Sequence, residues 1–292
     1  MVITEIPTTT AVAPWYGSNR LLAAAVGEEL AGARWVGIPF AGGMSELCHI
    51  TAPTILVNDL HRHIINLARV MADGNFGPTL IRRLRRLPFH PDTLKMAQLW
   101  CADRDVSRLM YGPVSDEHLM AAEAYFIASW MGRSGKAGID DEFNGRLSTR
   151  WNGNGGDSNT RYRSAVASIQ AWRRILQRCS FSVLDAFKFL DRCEDSAGHA
   201  IYCDPPFPGP GDRYLHCFSE EDHRQLAIWL AKLTNTRVVC RFYDHPLIHE
   251  IYPEGERWTW RRLVGRKQSN AEAAELLVIN GASQAKAVNK LF

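Results

Sequence analysis

The chain has no Cys-x-x-Cys pair and no histidine–cysteine cluster at zinc-ligand spacing, which excludes zinc fingers, zinc ribbons and dithiol redox motifs. No metal is expected. Its seven cysteines, an odd number, are scattered at Cys48, Cys101, Cys179, Cys193, Cys203, Cys217 and Cys240, so reduced thiols are expected rather than a disulfide framework. No stretch approaches the roughly twenty apolar residues needed to cross a bilayer. Residues 2–13 are threonine-rich and lack the basic start and apolar run of a secretory leader. A cytoplasmic protein without a membrane partner is therefore expected. Internal repeats and low-complexity tracts are missing too, which argues against a repeat array.

What is present is an apolar share of 46% in 292 residues, enough for one substantial domain with an insertion, or for two small ones. The formal net charge is only +3, yet residues 80–180 hold sixteen Lys or Arg against ten Asp or Glu. That local excess marks the segment as the place for a polyanion. The cluster Arg82, Arg83, Arg85 and Arg86 within it is equally compatible with a solvated helical face.

Apolar spacing divides the chain into alternating elements. Residues 21–30 form a helical pattern, and 34–38 a short strand running into Pro39-Phe40-Ala41-Gly42-Gly43, followed by a second helix through Cys48. Residues 54–57 are an apolar strand closed by Asn58-Asp59, and 61–71 repeat apolar residues at helical spacing. This alternation predicts an α/β fold, a parallel sheet covered by helices with ligands at the carboxyl ends of its strands. Near Asp73 the alternation stops. Residues 78–131 are helical and basic, and 132–159 are rich in Gly, Asn, Asp and Ser without periodicity, as functional or mobile insertions are. Helical spacing returns at 162–176, and strand and helix then alternate through 181–184, 186–190, 200–203, 220–233 and 237–240. Leu263 and residues 276–279 fit a closing antiparallel hairpin joined by the polar segment 265–271.

Three strand tips carry chemistry. Residues 201–207, Ile-Tyr-Cys-Asp-Pro-Pro-Phe, join a buried-strand pattern to an acid, two prolines and an aromatic where the strand must end. Asp204 supplies an acceptor, the Asp204 and Pro205 carbonyls can add another, Pro205 and Pro206 fix the backbone, and Phe207 offers a stacking face. Such a tip can hold an amino group on a flat ring; a tight Pro-Pro turn over a buried aromatic is the competing reading. Cys203 fits a small buried thiol. Gly42 and Gly43 let a ligand approach the backbone. Asp59 can accept hydrogen bonds from both hydroxyls of a ribose, or cap a helix beginning at Leu60.

Four motifs occur in order: Trp15-Tyr16-Gly17-Ser18-Asn19-Arg20; Ile38-Pro39-Phe40-Ala41-Gly42-Gly43; Val57-Asn58-Asp59-Leu60 with Ile64-Ile65-Asn66-Leu67; and Tyr202-Cys203-Asp204-Pro205-Pro206-Phe207. Together they resemble the Dam-like DNA adenine-N6 methyltransferases of alpha-type motif order. Tyr214, His216 and Ser219-Glu220-Glu221-Asp222-His223 after the fourth motif resemble the phage-borne branch. The resemblance runs from Trp15 to about Asn280. It implies a Rossmann-like S-adenosylmethionine-dependent methyltransferase sheet built from residues 1–72 and 162–292, with a mainly helical target-recognition region inserted at 73–161. It further implies that Trp15, Tyr16, Gly17 and Asn19 line the cofactor pocket, and that Pro39, Phe40, Ala41, Gly42 and Gly43 wrap the methionine part. Asp59 would bind the ribose, and Asp185 would lie near the cofactor adenine, with helix capping an equally good account of Asp185. Asp204 would border both cofactor and substrate. Two positions depart from the pattern: Asn19 stands where a lysine is usual, and Phe207 where tyrosine is commoner, which keeps a stacking face but loses a phenol.

The amine of adenine is a poor nucleophile because its lone pair is delocalised into the ring. Accepting its N–H groups at Asp204 and a Pro205 carbonyl would draw the nitrogen towards tetrahedral geometry and aim it at a sulfonium methyl. The implied reaction is a direct in-line transfer leaving S-adenosyl-L-homocysteine, with orientation and electrostatics as the protein's contribution. Adenine N6 is paired in a duplex, so the base must be flipped, and Phe207 would replace a lost stacking partner. The implied partner is double-stranded DNA, for which Arg133, Lys136, Arg146, Arg150, Trp151, Asn152 and Asn154 supply groups able to read base edges or phosphates. A monomer is favoured, and a cognate restriction nuclease is left open. Alternatives are methylation of RNA or of a protein glutamine by the same fold, or a DNA-binding homologue without catalysis.

Overall fold

A computed structural model of the chain describes residues 6–18, 20–132, 136–147, 158–209, 214–266 and 272–285. Among these residues seven strands form one mixed, mostly parallel sheet flanked by helices, an α/β architecture. Strands β1 (Trp35–Ile38), β2 (Thr54–Asn58), β3 (Cys179–Ser182), β4 (His199–Cys203) and β5 (Arg237–Tyr243) run parallel. The hairpin of β6 (Trp258–Arg266) and β7 (Glu272–Asn280) completes the sheet, with β7 antiparallel to β5. The order is β3-β2-β1-β4-β5-β7-β6. Strand order therefore reverses between β1 and β4, and in open sheets a crevice forms at the carboxyl ends beside that reversal.

The period-2 burial of a two-sided sheet sorts the strand residues. Ala200 and Tyr202 belong to one core with Val36, Ile38, Ile55 and Val57, while Ile201 and Cys203 belong to another with Val238, Cys240 and Phe242. Both faces are covered over the middle of the sheet, which is why β1, β2, β4 and β5 are mostly apolar. The first core is closed by α1 (Ala23–Glu29), α2 (Arg62–Ala72) and α6 (Ser158–Leu176), the second by α7 (Ala186–Leu190), α8 (Glu220–Leu230) and α9 (Pro246–Ile251). Between α2 and α6 come α3 (Phe76–Arg86), α4 (Pro91–Ala102) and α5 (Asp116–Met131), whose buried Leu84, Leu94, Tyr125 and Phe126 extend the first core. The Tyr162 hydroxyl donates to the Leu84 carbonyl at 3.1 Å, and Trp130 Nε1 donates to Val12 O at 3.1 Å, so the helices of this segment also clasp the N-terminal strand of chain. None of the described helices is long and apolar enough to cross a membrane.

Three of the departures from the sequence reading have a clear local reason. In place of a second helix through Cys48 there is one 3-10 turn, Ser45–Cys48, entered through Met44 in the left-handed region at φ 62°. The strand expected at 181–184 lies at Cys179–Ser182, because the buried Asn58 amide takes over the pairing beyond it. Asn58 Oδ1 accepts from Ser182 Oγ at 2.8 Å and Leu184 N at 2.8 Å, and its Nδ2 donates to Leu184 O at 2.9 Å and Pro39 O at 3.0 Å. Strand β5 runs past Cys240 to Tyr243, since β7 pairs with Arg241, Phe242 and Tyr243. An arginine inside an apolar run hides that continuation.

Candidate active site

A cleft of about 200 Å³ opens at the carboxyl ends of β1, β2 and β4. One wall is the turn from Pro39 to Glu46 with Trp15 laid against it; Asp59 and His61 line the cleft too, and Asp204, Pro206, Tyr214, His216, Cys217 and Phe218 complete the lining. Gly42 adopts φ 46°, and a Cβ there would lie 2.8 Å from Trp15 Nε1, so only glycine lets the indole seat on the turn. The Gly42 N–H donates to Asp59 Oδ2 at 2.7 Å and the His61 N–H to Asp59 Oδ1 at 2.9 Å. Asp59 thereby locks the turn after β1 to the turn after β2, and each oxygen keeps acceptor capacity towards the cleft. The helix cap is not Asp59: α2 begins at Arg62, and the ring of His61 caps it by accepting the Ile64 N–H at 3.4 Å.

At the tip of β4, Asp204 meets a partner that the motif did not announce. Arg241 Nη1 donates to Asp204 Oδ2 at 3.1 Å and Oδ1 at 3.3 Å, and Tyr202 Oη donates to Oδ2 at 3.3 Å. Burial pushes the Asp204 carboxyl above the usual aspartate range; Arg241 pulls against that shift and nearby Glu275 adds to it. The Asp204 side chain is 19% exposed, and that exposed part faces the cleft. Phe207 does not face it. Its ring is buried at 8% exposure, packs edge-on to Tyr243 at 4.6 Å between centroids, and carries the Arg241 guanidinium 5.0 Å from its centre. Asp204 and Pro206 thus border the cleft, whereas Pro205 and Phe207 do not. To stack on a base, Phe207 would have to leave this packing.

Between α5 and α6 the chain reaches the cleft at Gly138. Ala137 bridges to Trp15, and the Tyr16 N–H donates to Ala137 O at 3.1 Å. Gly138 sits at φ 87° under the indole, where a Cβ would be 2.5 Å from Trp15 Cζ2. Glu142 holds this loop down: its Oε2 accepts the Gly138 N–H at 2.8 Å and its Oε1 lies 2.7 Å from His61 Nε2. Burial lowers the His61 pKa, but the charge and hydrogen bond of Glu142 outweigh it and leave the ring more basic than usual. From the other side Tyr214 Oη donates to Tyr16 O at 2.8 Å, and the Leu215 N–H to Gly138 O at 3.0 Å. Three segments distant in sequence therefore converge on Trp15 and Gly17.

The remaining sequence-derived residues scatter. Gly17, Pro39, Phe40, Ala41, Gly43 and Asp185 border the cleft, while Tyr16 contributes only backbone and its ring packs on Tyr214. Asp185 also caps α7, the competing account of it, by accepting Phe187 N at 3.0 Å and Lys188 N at 3.3 Å. Lys136 is paired with Asp141 at 2.8 Å, and Arg146 is exposed. Asn19, Arg133, Arg150, Trp151, Asn152 and Asn154 lie outside the described residues. Asn58, His61, Glu142, Arg241 and Glu275 were not foreseen. The available signal was the same for Arg241 and Glu275: a lone charge in an apolar strand, which in a buried position needs a partner.

Protein-family models and curated proteins give no match to this chain. The fold and the site by themselves define an α/β protein with a polar cleft at a strand-order reversal.

Proposed function

We propose that the chain is an S-adenosylmethionine-dependent methyltransferase. Within that class we assign it to the enzymes that methylate adenine N6 in DNA after flipping the base. The observation that carries this reading is that Gly42, Asp59, Asp204 and Pro206, from separate elements of the sequence resemblance, share one cleft with Trp15. The strand order with its antiparallel closing hairpin supports the class.

The residues fit the cofactor. At Gly42 and Gly43 a Cβ would meet Trp15, at 2.8 Å from its Nε1 and 2.9 Å from its Cβ respectively, so the two glycines let the indole wall the cleft, and Asp59 is fixed by two backbone N–H groups with its carboxylate on the cleft. Bound there, S-adenosylmethionine would supply an electrophilic methyl on a sulfonium. Asp204 accepts an N–H of the incoming amine, and Pro206 keeps the tip rigid beside it.

A nucleic-acid partner is supported by charge placement. Because α6 feeds the amino end of β3, its own amino end lies at the cleft side of the sheet. The carboxyl turn of α3 packs there, with Arg163 Nη1 donating to Arg85 O at 2.8 Å, and it exposes Arg82, Arg85 and Arg86. An exposed basic turn on the face where the cleft opens suits a phosphate backbone. A DNA-binding homologue without catalysis is the second reading, favoured by the engagement of Asp204 with Arg241.

One experiment separates them: plasmid DNA and S-adenosylmethionine are incubated with the protein, digested to nucleosides and analysed by mass spectrometry. N6-methyladenine is expected from the wild type and none from Asp204→Ala with an unchanged circular dichroism spectrum. Cofactor binding by calorimetry without product on duplexes of varied sequence would sink the catalytic reading.

A further inference from the structure

Strands β5 and β7 each bury one charge in an otherwise apolar run: Arg241 is 3% exposed and Glu275 2%. Arg241 Nε donates to Glu275 Oε2 at 2.6 Å, which leaves Nη1 to reach both Asp204 oxygens and, at 3.1 Å, the Gly17 carbonyl. Its guanidinium lies over Phe207. Apolar residues of similar volume would stabilise such a site as well or better, so packing alone is a poor account of it. Of the three charged groups only Asp204 borders the cleft.

We infer that Arg241 and Glu275 are positioning residues for Asp204: the guanidinium aims the carboxylate and ties it to the Gly17 wall of the cleft, and Glu275 cancels the guanidinium charge. This rests on the methyl-transfer reading. Its logic is electrostatic. As the N–C bond forms and the C–S bond breaks, the electron pair of that bond goes to sulfur, and the positive charge passes to the amine nitrogen until it releases a proton to solvent. An Asp204–Arg241 pair alone would present no net charge to that nitrogen. Two carboxylates around one guanidinium leave one negative charge, and Asp204 displays it at the cleft.

The test is a titration of Asp204 followed by ¹³C NMR of aspartate-carboxyl-labelled protein, with the resonance assigned by Asp204→Asn. Arg241→Gln is expected to raise the Asp204 pKa and Glu275→Gln to lower it, and the acid limb of the methyl-transfer rate should move with each. In Arg241→Gln, kcat is expected to fall on the order of a hundredfold with little change in KM for DNA. Shifts in the same direction, or none, overturn the inference whatever the activity. Absence of transfer by the wild type would tell against the proposed function, while the NMR titration still decides whether these residues tune Asp204. Should either single variant fail to fold, Arg241→Gln/Glu275→Gln removes both buried charges together. Near-wild-type kcat in that folded double variant overturns the inference, and a large loss supports it.

Discussion

Gly42 is where the cleft tolerates least change. An alanine there would have to hold φ 46° and place its methyl against the Trp15 indole, whose nitrogen is 2.8 Å from the ideal Cβ position. The backbone strain alone costs about 1 kcal/mol, and Trp15 would be pushed from the wall it shares with Gly138 and His61. Gly42→Ala is therefore expected to weaken S-adenosylmethionine binding at least about tenfold by calorimetry, which corresponds to about 1.4 kcal/mol. The melting temperature should fall only modestly, because the site is at the sheet's rim. Unchanged affinity would remove Trp15 and Gly42 from the cofactor wall. Asp59 shows how far a single residue can be read from sequence. Its placement at a strand tip was legible because chain position fixes it; its two backbone partners were not, because Gly42 comes from a different turn.

At the scale of elements the β6–β7 hairpin does more than close the sheet. Gly265 stands diagonal to Glu275, and a Cβ at Gly265 would fall 1.7 Å from Glu275 Oε1. Glutamate tips usually yield, but this one is pinned by Arg241 at 2.6 Å in a buried position. Gly265→Ala is expected to cost roughly 1–3 kcal/mol in urea unfolding. It should also slow methyl transfer, although Gly265 does not border the cleft. A variant with wild-type stability and rate would show that the hairpin does not transmit its packing to Asp204. The same hairpin marks where pattern reading succeeds and stops. The period-2 and helical spacings located β1, β2, β4, α2 and α6 to within a few residues, since apolar burial alone determines them. They missed the end of β5 and the shift of β3, where the deciding groups were polar side chains, Arg241 and Asn58, whose partners lie in other parts of the chain. The convergence of residues 136–142 on Trp15 was equally invisible, because one carboxylate, Glu142, and two backbone bonds establish it without any apolar period.

For the whole molecule, His63 and His223 are the histidines pushed furthest down, and both bear on the response to acid. His63, stacked on Tyr125, is pushed down to about 3 by burial and by the neighbouring His61. His223, boxed by Phe218 and Phe242 behind the Asp204 turn, is pushed down from 6.5 to about 4 by burial, against a smaller opposing contribution from the Pro206 backbone. A histidine with a depressed folded pKa is protonated first in the unfolded chain, so its stabilising contribution is present above pH 6.5 and is lost as pH falls towards the folded value. One unit is worth about 1.4 kcal/mol, which makes His223 worth on the order of 3 kcal/mol at neutral pH. His61 has the opposite sign: raised by Glu142, it stabilises below its unfolded value and loses that contribution as pH rises through the folded one. The raised carboxyl of Asp204 likewise favours the fold at low pH. Both temper the loss. The urea midpoint of the wild type is expected to drop between pH 6.5 and 4.5, and that of His223→Phe to drop less over the same interval, because the variant keeps the proton uptake of His63 on unfolding and loses that of His223. Parallel curves for the two proteins would show that His223 takes up its proton at the same pH folded and unfolded, so that burial does not depress it.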